Sequence, residues 1–308
     1  ALQNNMPVGT PTGYPQFAPV SPTQNWAQVG AFFAFGVLPT IIFFSSLMSV
    51  LYHLGIMQFV VKIIAIVMQK TMKTSGAETL SAAGNIFVGQ TEAPLLIKPY
   101  VDKMTRSELM AVMVGGFATI AGGVMAAYVG MLQNVFPDIA GHLLAASVMS
   151  APASLVIAKI LLPEEEEPLT KGKIATNFEK PDANIIDAAA RGASDGLSLA
   201  LNVAAMLLAF IAIIALLNSL IGYCGSFIGI PTLSLELILG YLLSPIAFIM
   251  GIPWEDAIAS GSLLGMKTVL NEFVAYSQLA TQIQNGVYHN PRTIVILTYA
   301  LCGFANFS

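Results

Sequence analysis

The chain has 308 residues, of which 56% are hydrophobic and 10% charged, with a mean hydropathy of +0.73 and a formal net charge of −4. An ordinary soluble domain carries about 25% charged residues, so this chain lacks the polar surface to keep a core of its size in water. A soluble enzyme, a disordered protein and a nucleic-acid binder, which needs a basic field, are thereby excluded, and the long apolar runs predict an α-helical integral membrane protein rather than a barrel of alternating ~10-residue strands.

Residues 1–26 contain no Lys, Arg, Asp or Glu and no basic leader region, and read as an extracytoplasmic segment. Apolar runs of crossing length follow at 27–52, 107–133, 142–162 and 198–222, and a further one begins near 292. Four stretches, 56–69, 76–101, 234–252 and 255–283, are apolar but broken. The chain ends inside an apolar run, which leads to the expectation of further helices beyond both ends. The basic residues set the topology. Eleven of the 13 Lys and Arg fall within 62–73, 98–106 and 159–191, whereas 131–141 and 222–233 have none. Basic loops stay on the cytoplasmic side. The stretch 76–101 therefore enters and returns, and 255–283 does the same from the opposite face. Two opposed re-entrant hairpins imply an inverted repeat. Gln90-Thr91-Glu92 and Leu270-Asn271-Glu272 occupy matching places in it, as do Phe117-Ala118-Thr119 and Phe304-Ala305-Asn306.

Residues 78–88 would form an arm of roughly 16 Å, about half a bilayer. Val88-Gly89-Gln90 then breaks the helical pattern, and Thr91 caps a second arm that tolerates Pro94 in its first turn. The cap points free N–H groups and a positive dipole end at the membrane midplane. Glu92 becomes a mid-membrane carboxylate, surrounded by the amides of Gln90 and Asn85 and the Thr91 hydroxyl. Such a group suits a small neutral ligand rich in donors and acceptors, and ionisable residues at that depth are usually functional. The second hairpin brings Asn271 and Glu272 to its turn, with Lys267 read as a structural neighbour that pairs with Glu272 or snorkels to the surface. Gly115, Gly116, Gly122 and Gly123 weaken the crossing 107–133, and unwinding over 117–123 would release carbonyls beside the Thr119 hydroxyl and the Asn85 amide, a setting for a hard monovalent cation. Glu164–Glu167 reads as a solvated loop, and IIDAAARGASDG as an interfacial helix. Cys224 and Cys302 offer neither a disulfide framework nor a thiolate metal site, and His53, His142 and His289 show no ligand spacing.

At these residues the sequence resembles the concentrative nucleoside transporters. The resemblance rests on SGAETLSAAGNIFVGQTEAPLLIKPY (75–100), GGFATIAGGVMAAYVG (115–130), AASVMSAPASLVIAK (145–159), LNEFVAY (270–276) and CGFANFS (302–308), and runs through nearly all of the chain from about residue 30. It implies a homotrimer in the inner (plasma) membrane, each protomer with a scaffold and a mobile transport domain working as an elevator driven by an ion gradient. On this chain the resemblance makes 27–54 and 198–233 scaffold helices. It makes 55–162 and 234–308 the halves of the transport domain, and 163–197 a cytoplasmic linker with an interfacial helix. It places the nucleobase of a nucleoside such as uridine at Gln90, Thr91, Glu92 and Val124, and the ribose at Glu272 and Asn306 with Phe304 nearby. It assigns Na+ to Asn85, Val88, Thr119 and Ile120. A proton on Glu92 or Glu272 is the alternative coupling ion. Other readings of the topology alone are a channel, an intramembrane enzyme, for which no nucleophile–base constellation is present near the hairpins, and a carrier of another small polar solute. An anionic solute is disfavoured by the two glutamates.

Overall fold

The computed structural model describes residues 38–90, 93–172, 182–227, 229–230 and 233–306, and its regular elements are all helical. α1 (Leu38–His53) and α2 (Ile56–Met72) meet at 78°, the turn being made by Gly55 in the left-handed region at φ 81°. The first hairpin pairs α3 (Gly76–Asn85) with a 3-10 helix over Ala93–Lys103. α4 (Arg106–Ala118) and α5 (Gly122–Leu132) are one crossing interrupted at residues 119–121. α6 (Ile139–Leu161) crosses without interruption, and α7 (Ile185–Phe227) follows. α8 (Leu235–Ile249) turns by 117° into α9 (Trp254–Val269), the first arm of the second hairpin; α10 (Glu272–Gln284) is the other arm, and α11 (Pro291–Leu301) the next crossing. Among the described residues three helices are long and apolar enough to cross a membrane, or five if each bent pair is one span.

The local chemistry explains these boundaries. Ser75 and Thr105 each begin a helix with a reciprocal capping box, closed by Glu78 and Glu108 respectively. The second arm of the first hairpin winds as a 3-10 helix rather than the α-helix expected. Pro99 has no N–H to donate, and its ring collides with a carbonyl four residues back, which the tighter winding avoids.

The depth of the first hairpin can be measured against α6. At the hairpin base the Lys159 ammonium lies 2.8 Å from a Glu78 carboxylate oxygen, while near the tip the Ser147 hydroxyl donates to the Ile86 carbonyl at 2.8 Å. The two anchor points on α6 are separated by about 18 Å at 1.5 Å per residue, half a bilayer, so the hairpin is re-entrant. α4 and α11 come from opposite ends and meet at their breaks, where Gly303 (φ 109°) lies against the carbonyls of Phe117 and Ala118; a Cβ there would stand 2.8 Å from the Ala118 oxygen. The fold is an all-α inverted repeat with two opposed re-entrant hairpins and broken transmembrane helices, divided into scaffold and transport parts. The base of the first hairpin also gathers Glu164, expected in a solvated loop: its carboxylate accepts from Thr105 Oγ1 at 2.9 Å and from Lys159 at 3.2 Å. A lysine that must answer the buried Glu78 draws a second acid toward it.

α7 runs unbroken for 43 residues, so the segment expected to lie flat on the membrane surface is continuous with the crossing. Its Gly192 and Gly196, spaced as a GxxxG pair, let α1 approach closely: a Cβ at Gly196 would stand 2.8 Å from Ile42 Cα, and one at Gly192 2.7 Å from the Ser45 carbonyl oxygen. Because those neighbours include backbone atoms, they cannot rotate aside. Gly196→Leu is expected to destabilise the protein by about 1–3 kcal/mol, read as a lower melting temperature in detergent; an unchanged melt would show that α1 and α7 do not depend on this contact. Further along, Leu208, Ile211 and Leu216 are exposed, as suits a helix solvated by lipid.

Candidate substrate and cation site

The second hairpin places its acid with care. Asn271 caps α10, its Oδ1 accepting from the Val274 N–H at 3.0 Å, and Glu272 is therefore the first residue of a helix whose positive end faces the break. The Glu272 side chain is buried at 3% exposure and accepts a hydrogen bond from Asn306 Nδ2 at 2.7 Å. Asn306 lies just past α11, on the non-helical segment that begins at Cys302 and bends at Gly303, so the broken crossing delivers it to the hairpin. Val124 of α5 is buried in the same apolar core as Leu270 and Phe273, and Phe304 packs partly buried against that core.

Two aromatic residues, not singled out from the sequence, dock this hairpin on the first repeat. Tyr128 stacks on Tyr276 with ring centroids 4.3 Å apart and meets Phe273 edge-on at 4.9 Å. The Tyr276 hydroxyl donates to the Thr298 carbonyl at 2.7 Å. The available signal was the spacing of Tyr128, one helical turn beyond Val124 on the same face of α5. Such a tyrosine ordinarily reads as packing. Here its hydroxyl is buried beside the Glu272 carboxylate, the acceptor toward which it can donate.

Lys267 neither pairs directly with Glu272 nor reaches the surface. It is 9% exposed, and its ammonium donates to the carbonyls of Ala300 at 2.9 Å and Cys302 at 3.5 Å. Those carbonyls are released by the end of α11, a nearer and better-oriented acceptor than the carboxylate.

At the first hairpin, Thr91 and Glu92 lie outside the described residues. Gln90 is exposed at the tip and packs its Cβ against Gly116, 3.3 Å from where a Cβ would project. Asn85, Thr119 and Ile120 are each 1% exposed, and Val88 is 7% exposed. The Asn85 amide lies beside Gly115, and the Thr119 hydroxyl donates to the Gly115 carbonyl at 2.8 Å. Both polar atoms of the Asn85 amide are buried and without a hydrogen-bond partner among the described residues. An orphaned buried amide costs about 1–3 kcal/mol, which a bound ligand would relieve. The donors here are neutral oxygens, with no cluster of three or more His, Cys, Asp or Glu among the described residues. That set suits Na+, a hard monovalent cation that needs oxygen ligands but no matching carboxylates.

A cavity of about 260 Å³ opens beside the first tip. Its walls include Phe87, Val88 and Gly89 of the tip, Gly122 of α5, Ser49 of α1 and Arg191 of α7, so it separates the first hairpin from the α1–α7 pair. At its rim Arg191 clamps Asp182 through two bonds, Nε–Oδ1 at 2.6 Å and Nη2–Oδ2 at 2.8 Å, and also donates to Ser49 Oγ at 3.2 Å. The guanidinium hydrogen bond holds the Asp182 carboxyl below its ordinary value. A lowered carboxyl contributes stability above the ordinary carboxylate range and loses it as pH falls through the lowered value, so the clamp is closed at neutral pH.

Two family profiles match the chain: "Na+ dependent nucleoside transporter C-terminus" over residues 142–308 and "Nucleoside recognition" over residues 34–135. The uncharacterized transporter YutK of Bacillus subtilis (strain 168) is 49% identical over 277 residues, covering 90% of this chain and 67% of that protein. Sodium/nucleoside cotransporter 1 of Mus musculus is 47% identical over 295 residues, covering 92% of this chain and 45% of that protein. Among solved structures, CNTnw in an inward-facing substrate-bound state superposes with a TM-score of 0.78 at 48% identity, covering 89% of this chain and 63% of that one. The chain spans between 40% and 67% of the length of such curated relatives. With profiles matching residues 142–308 and 34–135 and a relative 49% identical that is covered to 67%, the chain belongs to the concentrative, Na+-dependent nucleoside transporter family.

Proposed function

We propose that the protein is a secondary active transporter that imports nucleosides such as uridine together with Na+, by elevator-type alternating access of a transport domain against a scaffold. Glu272 and Asn306 take the ribose hydroxyls with Phe304 beside them, and Gln90, Thr91, Glu92 and Val124 take the nucleobase. Asn85, Val88, Thr119 and Ile120 hold the coupling Na+. The scaffold comprises α1 and α7, and the rest of the described helices travel with the two hairpins. Resemblance to the family supports the homotrimer and the placement in the cell's inner (plasma) membrane, with the basic loops inside.

The observation that carries the reading is the buried Glu272 carboxylate bonded to Asn306 at a re-entrant tip, at the level where the two broken crossings meet. A buried carboxylate at a helix N-terminus accepts from sugar hydroxyls with charge-assisted strength, and a neutral substrate adds no charge to repel it. The orphaned Asn85 amide favours Na+ over a proton, because neutral oxygens bind a hard cation and hold a proton poorly. The cavity beside the first tip is lined by Val88 of the proposed cation site and, at its rim, by Asp182 and Arg191. Sodium that stabilises the nucleoside-binding arrangement must raise nucleoside affinity, and nucleoside must raise Na+ affinity by the same factor.

The test is uridine uptake into proteoliposomes under an inward Na+ gradient, an inward proton gradient, or neither. Accumulation under the Na+ gradient alone is expected. Accumulation under the proton gradient alone would replace the coupling ion, and uptake indifferent to both would defeat coupled transport.

A further inference from the structure

The inverted repeat has a second end that the assigned cation site does not use. Matching Phe117-Ala118-Thr119 with Phe304-Ala305-Asn306 extends backwards by two residues, so that Gly115-Gly116 corresponds to Cys302-Gly303. In the first repeat, a side chain from the first arm of the hairpin, Asn85, lies against Gly115 in the last turn of α4, which ends at Ala118, and Thr119 bonds the Gly115 carbonyl. In the second repeat the residue that this match sets against Gly115 is Cys302, which caps the end of α11 at Leu301, and the side chain that arrives from the hairpin's first arm is Lys267. Its ammonium donates to Ala300 and Cys302 carbonyls, at 2.9 and 3.5 Å. One repeat thus offers an empty-handed amide beside helix-end oxygens, and the other has a positive charge already seated on them.

We propose that Lys267 is a tethered cation occupying the second repeat's counterpart of the Na+ site. The carbonyls at the end of α11 carry the negative end of its dipole, and their release from helical bonding creates acceptors that a cation satisfies. A free ion there would bind and leave with each cycle. A covalently attached ammonium does not, so this half of the molecule is held in its cation-bound geometry permanently, and the coupling ion acts only at Asn85. The ammonium also lies within electrostatic reach of Glu272, so the seated charge offsets the buried carboxylate that the proposed nucleoside site requires. The inference rests on the nucleoside–Na+ reading, and the wild-type uptake experiment separates the two: if wild type fails to transport uridine with Na+ that reading falls first, whereas the role of Lys267 is judged by its variants relative to a working wild type.

The experiment replaces Lys267 in the reconstituted protein and measures uridine affinity and its Na+ dependence with and without methylammonium or ethylammonium. Lys267→Ala is expected to lose about tenfold or more in uridine affinity, since charge-assisted hydrogen bonds are the strong ones. Small alkylammonium ions are expected to restore it, and at raised Na+ the dependence is expected to steepen by one further ion, because the vacated cage accepts a free cation. Lys267→Arg keeps the charge and is expected to bind uridine without added amine. Lys267→Met fills the space without charge and is expected to lose affinity beyond rescue. The proposal is overturned if Lys267→Ala elutes as a folded protein and no small cation changes its affinity. Should Lys267→Ala fail to fold, Lys267→Met decides: wild-type uridine affinity and Na+ dependence in that variant overturn the proposal, and lost affinity in a folded Lys267→Met supports it.

Discussion

Glu272→Gln is expected to reduce uridine affinity by about 100-fold while leaving the protein folded and its Na+ binding intact. The substitution preserves shape and the helix it starts, but it replaces an anion that accepts on both oxygens with an amide that accepts on one and donates from the other. The Asn306 Nδ2 donor, 2.7 Å away, then faces a neutral or wrongly oriented group, and a sugar hydroxyl loses a charge-assisted acceptor. Two such bonds at about 1.5 kcal/mol each correspond to about 3 kcal/mol, or roughly two orders of magnitude in dissociation constant. Calorimetric titration of uridine into the detergent-solubilised protein measures it. Wild-type affinity would remove Glu272 from the proposed site. Glu92→Gln tested in the same titration is expected to weaken the nucleobase end comparably.

Asn85→Leu is expected to uncouple nucleoside binding from Na+ and, at the same time, to make the Na+-free protein more stable. Coupling between two ligands is usually about 1–3 kcal/mol, so wild-type uridine affinity should rise some 5–150-fold on adding saturating Na+. In Asn85→Leu, with the amide oxygen gone, that rise should shrink to about twofold or less. The stability sign is the more discriminating readout. The amide is buried with both polar atoms unpartnered among the described residues, so an apolar side chain of similar volume removes a desolvation penalty. The melting temperature without Na+ should therefore rise, and the Na+-induced rise seen in wild type should vanish. A variant that still responds fully to Na+, or that melts lower without it, would mean Asn85 is a structural cap and not an ion ligand.

Much of this architecture is written in patterns that depend only on near neighbours along the chain. Basic blocks on either side of 76–101 require that stretch to return to the side it entered, and the measured depth of about half a bilayer between Lys159 and Ser147 on α6 agrees. The glycines around Phe117–Ala121 mark the interruption between α4 and α5, because a glycine-rich helix in lipid has little to hold it. The cap at Asn271 is legible for the same reason: a short polar side chain before a helix is a local signal.

What the sequence by itself determined is therefore the class, the re-entrant hairpins and the repeat, since hydropathy, charge bias and capping act over a few residues and need no partner; Val88, Ile120, Val124, Phe304 and Asn306 became candidates only through the resemblance to the family. Only the tertiary structure decided where long side chains ended. Lys267 chose the carbonyls of α11 over Glu272, Glu164 joined the hairpin base, and Tyr128 closed the joint between the repeats. A flexible or amphipathic side chain satisfies itself with whichever acceptor or ring folding brings within reach, and residues 33 or more positions apart in the chain, such as Lys267 and Ala300, meet only once the helices have packed.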